Sequence, residues 1–100
     1  MRTMLKISMP VEAGNRAIKD GSLPKLMGSV MDQLRPEAAY FYPENGKRTA
    51  LMVFDMKDPS QIPSVAEPFF LGLDAEISLT PVMNADDLKA GLEAAAKKRG

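Results

Sequence analysis

The feature that most constrains this chain is the stretch from Tyr40 to Asp55. Two β-rich runs, Tyr40-Phe41-Tyr42 and Thr49 through Asp55, flank a polar centre of Pro43, Glu44, Asn45, Gly46 and Lys47. Asn-Gly between such runs reads as a two-residue hairpin, because a type I′ turn needs positive φ at both central positions. A two-residue turn sets Glu44 against Lys47, Tyr42 against Thr49 and Tyr40 against Leu51. Strand alternation then gives one face Ala39, Phe41, Ala50, Met52 and Phe54. The other face receives Tyr40, Tyr42, Thr49, Leu51, Val53 and Asp55. The second run is thus apolar on both sides, which is unusual for an antiparallel strand unless both sides are covered.

The rest of the chain supplies elements on either side of this hairpin. Thr3, Leu5, Ile7 and Met9 alternate with Met4, Lys6 and Ser8, which predicts a strand stopped by Pro10. Val11 to Asp20 can be helical, with Gly21-Ser22 as a break. Beyond it, Leu23, Leu26/Met27, Val30 and Leu34 recur at helical spacing, with Ser22 as the expected N-cap, Pro24 in the first turn and Pro36 as the stop. After the hairpin, Asp58 or Ser60 can cap a helix carrying Ile62, Val65/Ala66, Phe69 and Leu73. Pro63 and Pro68 predict that this helix is short or kinked. Ala75, Ile77 and Leu79 alternate with Glu76, Ser78 and Thr80 as a fourth strand ending at Pro81. Asn84 caps a last helix with Asp86 and Asp87 in its first turn and Lys97, Lys98 and Arg99 in its last, both suited to the helix dipole. Its stripe of Leu88, Leu92 and Ala95/Ala96 predicts that it docks.

The order β-α-β-β-α-β plus a C-terminal helix is the split βαβ, ferredoxin-like arrangement. The predicted fold is α+β, one ferredoxin-like domain over residues 1–100 with a four-stranded antiparallel sheet. Right-handed crossovers place both main helices on one sheet face. The other face, with Leu51 and Val53, has no helix left to cover it, and large exposed apolar faces are rare in monomers. The expected remedy is a homodimer whose two sheets pack face to face.

Composition narrows the chemistry. Thirteen basic and thirteen acidic residues give a formal net charge of zero, so no electrostatic attraction favours nucleic acid or an anionic membrane. Residues 1–50 hold eight basic and five acidic groups and residues 51–100 the reverse. Without cysteine there are no disulfides, thiolate nucleophiles or cysteine-held zinc, and without histidine there is no imidazole base or histidine-held haem. The start of the chain lacks the apolar core of a signal peptide, and no run approaches the roughly 20 apolar residues of a membrane helix. The expectation is a cytoplasmic protein with no metal and no cofactor.

The candidates for chemistry are therefore few. Asp55, on the same predicted face as both tyrosines, is the candidate acid–base group, provided that its pKa is moved toward neutrality. Tyr40 and Tyr42 are candidate ligand contacts, and Arg48 beside the turn is a candidate for an anionic group. Gly14 and Gly21 bracket Asn15, Arg16, Lys19 and Asp20. They mark either a poorly formed first helix or a close backbone approach near a pocket mouth. Most of the eight methionines fall at core-patterned positions, where they would fill gaps.

The segments Glu12–Lys25, Gly46–Thr49, Val53–Met56 and Pro81–Met83 resemble a family of small, uncharacterised bacterial proteins within the dimeric α/β-barrel superfamily. That resemblance implies paired ferredoxin-like sheets and leaves the activity open, since the superfamily holds monooxygenases, isomerases, haem-degrading enzymes and binding proteins. Two functions follow as expectations. The first is a non-catalytic protein binding a small apolar or amphipathic molecule or a partner. The alternative is a cofactor-independent monooxygenase or isomerase acting on a small aromatic or unsaturated compound.

Overall fold

The Asn45-Gly46 turn forms as its residues require. φ is +54° at Asn45 and +75° at Gly46, a left-handed region where glycine, lacking a Cβ, is unstrained. The turn joins β2 (Ala38–Glu44) to β3 (Lys47–Asp55). The register pairs Glu44 with Lys47, Tyr42 with Thr49 and Tyr40 with Leu51, as a two-residue turn dictates. β3 lies against β1 (Arg2–Ser8) and β1 against β4 (Glu76–Pro81), giving an antiparallel sheet of order β2-β3-β1-β4. The computed structural model describes residues 1–100. Four helices complete it: α1 (Val11–Lys19), α2 (Ser22–Leu34), α3 (Ile62–Leu73) and α4 (Ala85–Arg99). The chain is α+β, with an element order consistent with a ferredoxin-like fold. No helix is long and apolar enough to cross a membrane.

Local chemistry sets the helix ends, with two departures from expectation. The chain does break between α1 and α2, but Ser22 is the first helical residue and not the cap. The flanking position is Gly21, and the Ser22 N–H is satisfied by Asp20 Oδ1 at 2.8 Å. Asp20 therefore takes the capping role by reaching two residues forward, an Asx-type turn. α3 runs without interruption through Pro68. It is preceded by a 3₁₀ turn, Pro59–Gln61, capped by Asp58 through the Ser60 N–H at 2.8 Å. At α4, Asn84 and Asp87 form a reciprocal capping box, which satisfies two otherwise orphaned N–H groups.

The two sheet faces differ as the hairpin register predicts. One carries Leu5, Ile7, Ala50, Met52 and Phe54, all buried beneath Leu23, Val30 and Leu34 of α2 and Val65, Phe69 and Leu73 of α3. The other has no helix over it. There the register lines up Ala38, Val53, Met4 and Thr80 in one cross-strand row and Tyr40, Leu51, Lys6 and Ser78 in the next. Met4, Leu51 and Val53 are half-buried and Tyr40 is 65% exposed. Lys6 Nζ reaches across β3 to Glu44 Oε2 on β2 at 2.6 Å.

The expected docking of α4 does not occur within the chain. Every residue from Met83 to Gly100 is exposed, including Leu88 at 47% and Leu92 at 61%. The cause is geometric. The helical side of the sheet carries α1, α2 and α3, and α4 leaves from the end of edge strand β4, the strand farthest from the hairpin. Its first turn is tied by Asp87 Oδ2 to Arg2 Nη1 at 3.2 Å, and Arg2 belongs to the uncovered face. A helix of this length adds about 22 Å of reach, in keeping with a molecule measuring 58 × 28 × 19 Å.

Candidate functional site

On the helical side of the sheet the cover is incomplete at the hairpin end. α1 presents Val11 and Asn15 there and α2 presents Leu23 and Met27, each pair four residues apart on one helical stripe. Across from them stand Phe41 on the edge strand, Met9 at the exit of β1 and Arg48 on β3. Together they enclose a cavity of about 590 Å³, within the range of small-molecule sites. Its walls are largely apolar, and Phe41 remains 59% exposed at its mouth.

One cation is fixed at the rim. Arg48 Nη1 donates to Asn15 Oδ1 at 2.8 Å, which ties the second strand of the hairpin to α1. Directly behind it is Gly14, where an added Cβ would lie 3.1 Å from Arg48 Nη1 and 3.5 Å from its Cδ. The missing side chain is what lets the arginine lie against the helix. Gly14 is buried in a well-formed α1, so of the two readings of this glycine the close approach is the one realised. α1 begins after Pro10 without a side-chain cap, and its first residue, Val11, lines the cavity, which places the positive end of the helix beside it. No aspartate or glutamate lines the cavity.

The sequence-derived candidates divide between places. Arg48 and Tyr42 border the cavity. Tyr40 does not: the register places both tyrosines on the uncovered sheet face, and only Tyr42, two residues nearer the turn, borders the cavity. Asp55 sits at the far end of β3, seven residues from Arg48 and so about 23 Å away along the strand. Asp55 is exposed, and its oxygens meet Lys57 Nζ and the N-terminal amine, each at 2.5 Å. These contacts, first the hydrogen bond from Lys57 and then that from the amine, push its pKa down to about 2. That direction is opposite to the upward shift that proton exchange near neutral pH requires. The face shared by Asp55, Tyr40 and Tyr42 therefore forms no single pocket.

Met9, Leu23, Met27 and Phe41 escaped the sequence reading because they follow the same alternation and periodicity as core residues. Asn15 and Gly14 carried the one available signal, a glycine and polar residues where an unbroken helix would favour neither. A second concavity of about 340 Å³ lies on the uncovered face around Lys6, Ser8, Glu44, Glu76 and Ser78. It is polar, and its Lys6–Glu44 pair is internally neutralised. No group of three or more acidic side chains is placed to hold a metal ion. No family model matches the chain, and neither a curated protein nor a solved structure matches it.

Proposed function

We propose that this chain is a non-catalytic binding protein that takes a small apolar or amphipathic molecule into the cavity between α1, α2 and the β2–β3 hairpin. The observation that carries this reading is the cavity itself. It has about 590 Å³ of space, largely apolar walls and no carboxylate in its lining. An apolar concavity with a few convergent polar groups is the usual form of a small-molecule site. Proton-transfer chemistry would further need a titratable group tuned toward neutrality within reach of the ligand. Asp55, the sequence's best carboxylate, lies elsewhere and is shifted the other way.

The same reading takes the chain as a homodimer of the dimeric α/β-barrel superfamily, closed by its uncovered sheet faces. Support comes from the element order, from half-buried Met4, Leu51 and Val53 with nothing over them, and from the exposed Leu88 and Leu92 stripe of α4. A two-fold interface would cover these surfaces in both copies at once.

Binding is tested with N-phenyl-naphthylamine, a neutral dye that brightens in apolar surroundings. The wild-type protein is expected to take it up saturably. Met27→Trp, which fills the cavity from α2, is expected to abolish uptake while the chain stays folded. No uptake by wild type, or equal uptake by a folded Met27→Trp variant, overturns the proposal.

A further inference from the structure

The cavity walls leave open which polar group a ligand carries, but the rim does not. Resting on the reading of this cavity as a small-molecule site, we infer that its ligand is an amphipathic monocarboxylate. Its carboxylate sits on the Arg48 guanidinium, and its apolar body lies along Met9, Leu23, Met27 and Phe41.

The argument starts from how Arg48 is held. Arginine has five N–H donors in a rigid fork, and the bond to Asn15 Oδ1 occupies one N–H of Nη1 and tethers the group against α1. Gly14 supplies the floor, since a Cβ there would stand 3.1 Å from Nη1. A glycine inside a helix costs stability, yet here it creates the space that the guanidinium fills. Two sequence-distant residues thus orient a cation that takes part in no ion pair. Other cations such as Lys19, Lys25 and Arg35 also lack an ion pair, but Arg48 is the one held by a side-chain hydrogen bond at the cavity rim. A positioned, unpaired guanidinium beside an apolar hollow is complementary to an anion with an apolar tail.

The charge count selects the class of anion. Lys47 also borders the cavity, but strand alternation turns its side chain toward the uncovered face. One oriented fork with free donors, next to the positive end of α1, matches the two coplanar oxygens of a carboxylate. The one positive charge that this rim fixes balances a monoanion and leaves a phosphate dianion half-compensated. The apolar part follows from Leu23 and Met27, which offer the body of the ligand a continuous wall on α2.

The test uses naphthoate and naphthamide, matched in shape and differing in charge, as competitors of N-phenyl-naphthylamine on the full-length wild-type protein. Naphthoate is expected to compete about 10-fold more strongly, the effect of one charge-assisted contact worth about 1.4 kcal/mol. In Arg48→Met that preference should collapse while the neutral dye still binds. Gly14→Ala provides a second variant: its new methyl, 3.1 Å from Nη1, pushes the guanidinium a few tenths of an ångström off its seat, so the preference should weaken, whereas the melting temperature should hold or rise because alanine favours helix. Equal competition by acid and amide in wild type, or a preference that survives Arg48→Met, overturns the inference and leaves the cavity reading intact. Failure of the neutral dye to bind wild type overturns the cavity reading and this inference with it.

Discussion

Val53 and Phe54 are neighbours in sequence on opposite faces of β3, and a carboxylate placed at each should have opposite consequences. Phe54 is 1% exposed beneath the helices. Phe54→Asp removes a large core side chain and buries an unpaired charge, a loss above about 4 kcal/mol. Set against a total stability of about 5–15 kcal/mol, this variant should be unfolded or nearly so. Val53 is half-buried on the uncovered face, so in a single chain Val53→Asp should cost less than about 1 kcal/mol. In a two-fold dimer the position occurs twice in one interface. The uncovered face spans four strands of about seven residues, roughly 19 by 23 Å, and Val53 on central strand β3 lies well inside it. Burying an unpaired carboxylate at each of two sites costs about 2 kcal/mol or more apiece and weakens association by about 4 kcal/mol, close to a thousandfold. Sedimentation velocity at micromolar protein, with circular dichroism for the fold, reads both quantities. The expected outcome is a dimeric wild type, a folded monomeric Val53→Asp and an unfolded Phe54→Asp. A monomeric wild type, or a Val53→Asp variant that remains dimeric, refutes the assignment of this face.

The left-handed conformation of Gly46 makes Gly46→Val costly. A penalty of about 1–2 kcal/mol should lower the melting temperature by roughly 4–8 °C or more in a domain of this size, and an unchanged melt would contradict the type I′ turn. Asp55 has a folded pKa near 2, below its ordinary 3.8, so its pairing with Lys57 stabilises the fold above that ordinary value and is lost as pH falls from 3.8 toward 2. Acid denaturation of Asp55→Asn should accordingly be less steep in that window, with the difference shrinking in high salt because the pair is exposed; identical acid transitions would show that the pairing contributes nothing. Replacing Leu88 and Leu92 together by glutamate should leave the melting of the isolated chain unchanged, since both are already in solvent, but weaken a dimer that uses α4. A drop in the melting temperature of a monomeric form would show that α4 docks within its own chain.

The parts of the fold legible in the sequence are those where short-range chemistry decides. Asn45-Gly46 admits few turns, and once the turn has two residues every pair from Ala38–Val53 to Glu44–Lys47 follows. Alternation in β1 placed Leu5 and Ile7 in the core, and the Asn84 cap was readable because its oxygen acts within one helical turn. What failed needed longer range. The stripe on α4 shows that a face is apolar but not whether the surface that covers it belongs to the same chain. Ser22 looked like a cap because Asp20, two residues earlier, competes for the same N–H. The cavity was the least legible feature. Its wall residues Leu23 and Met27 carry the same period as the core residues Val30 and Leu34, and only the tertiary gap under Phe41 distinguishes the groups. Arg48 was identifiable as an anion-binding type, but its partner Asn15 is 33 residues away. Tyr40 and Asp55 share a strand-face assignment that is correct in register, yet the site they were expected to form is spread along the length of β3.

The methionines give the most direct test of the cavity, because they sample both sheet faces. Met9 and Met27 line it, Met4 lies on the uncovered face, and Met83 is 66% exposed just before α4. With all methionine methyl groups carbon-13 labelled, titration with naphthoate should move the Met9 and Met27 resonances together and saturably while Met4 and Met83 stay in place. Movement of Met4 without Met9 and Met27, or no movement of those two at saturating ligand, would contradict the account.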